Sequence, residues 1–220
     1  MSEKLRLRFA KEGRAIYISH LDLMRTMQRA FQRAGLSLKY SEGFNPHPVM
    51  SILLPLSVGC ASGCELMDFS LTNDEDLAAL PARLNGAMPE GITALEAYEG
   101  GRKVRELKWL RLSGRFDYDK RDAAVMRDAL QAFFARPEIV IEKKTKRGLG
   151  MSDIAQGIRS LSFRTGEGCV IVSSVLSAQE PTINPELLVS ALHQVAPELA
   201  PDFAEFRREA VFDAEMREFR

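Results

Sequence analysis

The chain has 220 residues, with 30 Lys+Arg balanced by 30 Asp+Glu and a hydrophobic content of 45%, enough for one large or two modest domains with their own cores. No window approaches the ~20 apolar residues of a bilayer span, and the start "MSEKLRLRFA" lacks a signal-peptide apolar region. Three cysteines, an odd number, make no disulfide framework, so the expectation is a cytoplasmic protein with reduced thiols and no membrane contact.

The zero net charge hides segregation. Residues 1–64 hold 9 Lys+Arg against 4 Asp+Glu, and residues 65–100 hold 1 against 8. Residues 101–164 hold 16 against 8, and residues 165–220 hold 4 against 10. Two basic blocks that meet form one positive face; scattered, they are ordinary solvated charge.

In chain order, Leu5, Leu7 and Phe9 alternate with Lys4, Arg6 and Arg8, the period of a strand with one buried face. Ser19 then reads as a helix N-cap with Asp22 as its capping partner. The helix runs to Ala34 and stops at Gly35, burying a stripe of Leu21, Met24 and Phe31 with Leu23 and Met27 beside them. "LSLKY", the loop "SEGFNPHP" and the apolar run "VMSILLPLSV" follow, then "ELMDFSLT" as a strand. An acidic helix is expected from near Asn73, its face made by Leu77, Leu80, Leu84 and Met88 and kinked by Pro81. "ITALEAY" closes a β-α-β-β-α-β series.

The second half repeats the series. "LKWLRLSGRF" is a strand and "RDAAVMRDALQAFFA" a helix, with Met126, Leu130, Phe133 and Phe134 inward. "EIVIEKK" and "GCVIVSSVL" are strands, "NPELLVSALHQV" is a helix capped by Asn184, and "FRREAVF" is the last strand. With "EGGRKVREL" as boundary, the expected fold is α+β: tandem ferredoxin-like (βαββαβ) domains with antiparallel sheets, over residues 1–100 and 104–220. This topology predicts that His20, at the first helix start, lies beside the loop carrying His47, with "KKTKRG" on the equivalent edge of the second copy.

Asn45 and His47 each precede a proline, which pushes both toward extended backbone, and Gly43 permits a left-handed turn. The stiffened loop either presents Ser41, Gly43, Phe44, Asn45 and His47 to a ligand, with Phe44 stacking a base, or is a structural loop with Phe44 packed inward. Arg25, Arg29 and Arg33 form one helical stripe. With Lys39, Lys143, Lys144, Lys146 and Arg147 they suit a phosphate backbone, although a solvated helix face explains the stripe equally. His20 and His47 suit general acid–base chemistry, as in metal-independent RNA cleavage, or metal ligation together with Asp22. Asp22 is also explained by the helix N-terminus alone.

"CASGCELM" spaces Cys60 and Cys64 as C-x3-C, the start of a radical S-adenosylmethionine cluster motif, but the next ligand position is Met67, so no cluster is expected on this chain. It has no Walker loop, no GxGxxG after a strand and no nucleophile elbow. Nor does its third strand carry the stacking aromatics of an RNA-recognition motif. No catalytic motif, cofactor or metal is therefore expected.

"FAKEGRAIYISHLDLMRTMQRAFQRAGLSLKYSEGFNPHPVMSILLPLSVGCASGCELMDFSL" resembles the radical-SAM-linked protein family, an uncharacterised bacterial domain found alone or attached to a B12-binding-type radical S-adenosylmethionine protein. The matching residues are Ser19, His20, Asp22, Arg29, Ser41, Gly43, Phe44, Asn45, Pro46, His47, Pro48, Gly59 and Glu65, and "EKKTKRG" with the following Asp-Ile extends the match. The resemblance implies a radical SAM enzyme as partner. "PLSVG" and the tandem architecture are also similar to CRISPR repeat-associated RNA-binding proteins, without their C-terminal glycine-rich loop. The expected function is an accessory module that binds structured RNA, a tRNA or rRNA element, for modification by that partner. The alternatives are a metal-independent ribonuclease or small metal-dependent hydrolase using His20 and His47, and a protein-only scaffold docking through its Lys4/Arg6/Arg8 face.

Overall fold

The computed structural model describes residues 4–145 and 148–220, with the side chains of all but Lys144 and Thr145. The protein is mixed α+β, with antiparallel strands and few helices. It divides into a first unit ending at Val104, which also includes Arg220, and a second over Arg105–Phe219.

The first unit contains β1 (Leu5–Lys11), α1 (His20–Arg33), β2 (Met50–Ile52), β3 (Ala61–Phe69), α2 (Leu80–Asn85) and β4 (Ile92–Glu99). Its strands lie in the order β4-β1-β3-β2, every pair antiparallel. Leu7 and Phe9 from β1 and Met67 and Phe69 from β3 pack against Leu23, Met27 and Phe31 of α1. Ala30 completes that helix's buried face, whereas Leu21 is exposed, so the stripe is rotated from the expected one toward Leu23. Ser19 caps α1 as expected: its Oγ accepts from Asp22 N at 3.2 Å and donates to Asp22 Oδ2 at 2.7 Å. Gly35, with φ +69°, ends it in the left-handed region that glycine adopts without strain.

Two sequence expectations shift here. The acidic helix is only six residues long and begins at Leu80, with Pro81 in its first turn. The proline's missing N–H costs nothing there, so it starts the helix rather than kinking it; Leu77 and Met88 pack on the core from outside the helix. "LSLKY" forms only the isolated bridges Leu38–Leu71 and Tyr40–Pro48.

The second unit contains β5 (Trp109–Asp117), α3 (Ala123–Phe134), β6 (Val140–Thr145), β7 (Gly148–Asp153), β8 (Ile158–Thr165), β9 (Cys169–Ser177), α4 (Glu186–Val195) and β10 (Phe203–Phe212). The order β10-β5-β9-β8 makes one antiparallel sheet, and β6 and β7 make a separate hairpin. "EIVIEKK" therefore lies in the hairpin, and "IRSLSFRT" takes the sheet place expected for it. β8 pairs only with β9, and only its Phe163 is buried, so its sequence lacks the alternation that marks a half-buried strand. Asp122 caps α3 by accepting from Ala124 N and Val125 N, and Phe134 stacks on Phe163 at 5.7 Å. No helix among the described residues is long and apolar enough to cross a membrane.

Candidate functional site

The proline-flanked loop between α1 and β2 is clamped at its base. Ser41 N donates to His47 O at 2.9 Å, His47 N donates to Ser41 Oγ at 3.1 Å, and Ser41 Oγ lies 2.9 Å from His47 Nδ1. Gly43, with φ +121°, makes the turn at the tip. Between the clamped ends Phe44 stands fully in solvent at 108% relative exposure, which removes the inward-packed alternative. Asn45 and Pro46 are exposed as well. His47 is thus a clamp of the loop, and its ring is exposed.

His20 is not beside it. In the alternating path of the first unit, the β1–α1 turn and the β2–β3 connection share one edge, and the α1–β2 loop occupies the other. The β2–β3 connection is residues 53–60, tied to the helix-start edge by Gly59 N donating to Ile16 O at 2.9 Å. The loop bearing His47 belongs to the opposite edge, where Lys39 N donates to Ser70 O and Ser70 N donates to Val49 O. The composite His20/His47 site is accordingly corrected: the loop precedes the second strand instead of following it. Asp22 is spent on the helix cap and an exposed ion pair with Arg25 at 3.3 Å. Among the described residues no three His, Cys, Asp or Glu side chains gather as metal ligands.

The basic stripe on α1 is exposed but not uniform. Arg33 Nη2 donates to the Ala87 carbonyl, and Arg25 is paired with Asp22. Arg29 extends into solvent with no side-chain partner among the described residues. Beside the stripe, α1 and residues 35–40 enclose a groove of about 390 Å³ lined by Gln28, Gln32, Ser37 and Tyr40, with Lys39 next to it and exposed. The loop, the groove and Arg33 belong to the α1–β2 end of the first unit, whereas Arg25 lies beside Asp22 in the first turn of α1. In the second unit Lys143 is half-buried on β6 and Lys144 is described by its backbone alone. Lys146 and Arg147 lie outside the described residues.

The Lys4/Arg6/Arg8 face is not a free docking surface. Arg6 is 1% exposed and grips Asp68 through Nε–Oδ1 at 2.7 Å and Nη2–Oδ2 at 3.3 Å, while Lys4 Nζ reaches Asp68 Oδ2 at 2.6 Å. A second charged group, passed over in the sequence, lies under the helix-start edge. Lys11 is 1% exposed, and its Nζ donates to Ile16 O at 3.1 Å and Ile18 O at 3.3 Å. Burial pushes the Lys11 ammonium below its ordinary pKa, and the negative charge of Glu65 works in the opposite sense. The available signal was the period itself, since Lys11 falls on the same face of β1 as Leu7 and Phe9. Cys60, Cys64 and Cys169 are buried free thiols.

The fold and this surface define a two-unit α+β protein with an exposed aromatic ring, exposed amides and exposed cations on its first unit. The chain belongs to the DUF2344 family, described as an uncharacterised protein conserved in bacteria, whose profile matches residues 4–185. No curated protein matches it. Among solved structures it is similar to an unknown protein from Galdieria sulphuraria, at 12% identity and a TM-score of 0.26. It is also similar to a protein described as a candidate glycine cleavage system transcriptional repressor, at 9% identity and a TM-score of 0.25. Each alignment covers 94% of this chain and 99% of the other.

Proposed function

We propose that this protein is a non-catalytic, cytoplasmic module that holds structured RNA, a tRNA or rRNA element, for modification by a radical S-adenosylmethionine enzyme of the B12-binding type. The single observation behind the RNA half is Phe44, held fully in solvent by a clamped loop whose prolines leave little entropy to lose on binding. A soluble protein that exposes a whole phenyl ring on a stiff loop gives up its burial, and base stacking returns about 1–3 kcal/mol per base. Arg29 on α1 and Lys39 just after it are exposed cations of the same unit, available for the phosphates. The radical partner follows from the sequence resemblance. The frame is read as two ferredoxin-like units. Supporting this are the orders β4-β1-β3-β2 and β10-β5-β9-β8 around two helices each, with the β6–β7 hairpin inserted in the second.

The test is fluorescence anisotropy with a folded tRNA and an rRNA hairpin at about 50 mM salt, where phosphate contacts are strongest. Binding that weakens about tenfold in Phe44→Ala and falls further as salt rises supports the reading. An absence of binding at low salt overturns it. For the partner, the full chain should capture a radical SAM enzyme from a native lysate, identified by its iron–sulfur absorbance and peptide masses.

A further inference from the structure

The hairpin of the second unit has one closed edge and one open edge. On β6, Glu142 N donates to Gln194 Oε1 at 2.8 Å and Gln194 Nε2 donates to Glu142 O at 3.0 Å. An amide of α4 thus occupies that edge as a neighbouring strand would. The same two bonds fix the phase of the ladder. In an antiparallel pair both main-chain groups of a residue point the same way, so Glu142, turned outward, lies opposite a residue also turned outward. That residue is Met151, and Leu149, two positions away, shares its phase. The N–H and C=O groups of Leu149 and Met151 have no partner among the described residues. Their side chains are 71% and 69% exposed on one face of the hairpin, while Ile141 on the other face is buried. No proline, bulge or charged residue, the devices that blunt an edge, interrupts "GLGMS".

We propose that β7 is the strand through which two copies of this chain pair, antiparallel about a two-fold axis at Gly150. In that register Leu149 meets Met151 of the second copy and Met151 meets its Leu149, so the outward main-chain groups of both residues are satisfied at once. Gly150 meets Gly150 on the axis. A shift of two residues would set Leu149 opposite Asp153, an apolar side chain against a carboxylate, so the composition favours one register. The charges match as well. Lys144 is level with Leu149 and Glu142 with Met151, so each row across the joined sheet begins with a lysine of one copy and ends with a glutamate of the other. The contact is isologous and extends two hairpins into one four-stranded sheet with apolar cross-strand pairs. β7 offers six residues a side against the about 20–30 of a standard interface, so the pairing is weak and depends on concentration. It stands apart from the RNA reading, and neither needs the other.

The experiment is sedimentation equilibrium of the full chain from about 10 µM to about 1 mM, the span in which a weak interface is read, for the parent, Met151→Pro and Met151→Lys. Because the Met151 N–H points out of the hairpin, proline removes a donor between copies and spares the bonds between β6 and β7. Lysine keeps the main chain and puts a charge on the edge. The expected result is a parent mass that rises toward twice the monomer, with both variants monomeric and unchanged in circular dichroism. Gly150→Cys should also link two copies by a disulfide on oxidation with copper phenanthroline, since facing Cα atoms at that position lie about 4.5 Å apart, within disulfide reach. Ser152→Cys, away from the axis, should not. A parent that stays monomeric throughout overturns the self-pairing and leaves the edge to a strand of another protein. Association untouched by both Met151 variants, or equal cross-linking at positions 150 and 152, overturns β7 as its route.

Discussion

Replacing Lys11 by Met keeps the length and most of the packing of the stem and removes the ammonium. The two carbonyls of Ile16 and Ile18 then lose their donor, and the buried Glu65 loses a cation whose charged form it favours. Hydrogen bonds to a charged group contribute about 1.5–3 kcal/mol, and a buried carbonyl left without its donor costs about 1–3 kcal/mol. Part of this is returned because the ammonium no longer has to be desolvated, the same burial that lowers its pKa. A net loss of about 2–3 kcal/mol is expected, measured by urea unfolding followed by circular dichroism; at a slope of about 1–3 kcal/mol/M the midpoint falls by roughly 1–2 M. Lys11→Met/Glu65→Gln should recover about 1 kcal/mol of that, since it removes the buried carboxylate too. The pH dependence has a definite sign. A lysine with a depressed folded pKa binds fewer protons when folded than when unfolded, so parent stability rises with pH between the depressed value and the ordinary value near about 10.4. Lys11→Met should flatten that rise. A single substitution costing under about 0.5 kcal/mol, or a double in which the two costs simply add, refutes the account of this buried group.

Asp68→Ala leaves the Arg6 guanidinium buried without the carboxylate it grips in two-pronged fashion; a loss of about 3–5 kcal/mol is expected in the same unfolding assay. Ser41→Ala opens the clamp on His47. It should cost about 1 kcal/mol, speed amide exchange across residues 41–48 and weaken RNA binding, with the core untouched. Phe44→Ala should leave the unfolding midpoint unchanged, because nothing is buried there. In the second unit Asp153 Oδ1 accepts from Ile139 N at 2.9 Å and Ala155 N at 3.0 Å, and these backbone bonds hold its carboxyl below the usual aspartate range. Its stabilising contribution is present above the ordinary value of about 3.9 and lost as pH falls through the lowered one. Asp153→Asn, which keeps an acceptor, should show a shallower acid limb than the parent, and Asp153→Ala should be the less stable variant at neutral pH.

Much of the architecture is written locally. The alternation of Leu5, Leu7 and Phe9, the Ser19 cap and the Gly35 stop concern neighbours in the chain, and periodicity reports them directly. The stiffness of residues 41–48 is local too, because a proline constrains the residue before it wherever the loop ends up. What needed the folded chain was position. A hydrophobic run does not announce which part of it pairs: the strand in "VMSILLPLSV" is Met50–Ile52, paired with β3, and its place after the loop decides that His47 lies on the edge away from His20. Likewise β8 is hidden because an edge strand with one buried residue has no pattern to read. Charge shows the same division. Sequence identifies Lys11 and Arg6 as cations, but desolvation and pairing arise only when β1 is covered and Asp68 and Glu65 are brought across from β3. Residue type and short spacing are properties of the chain, whereas burial and long-range partnership belong to the packed molecule.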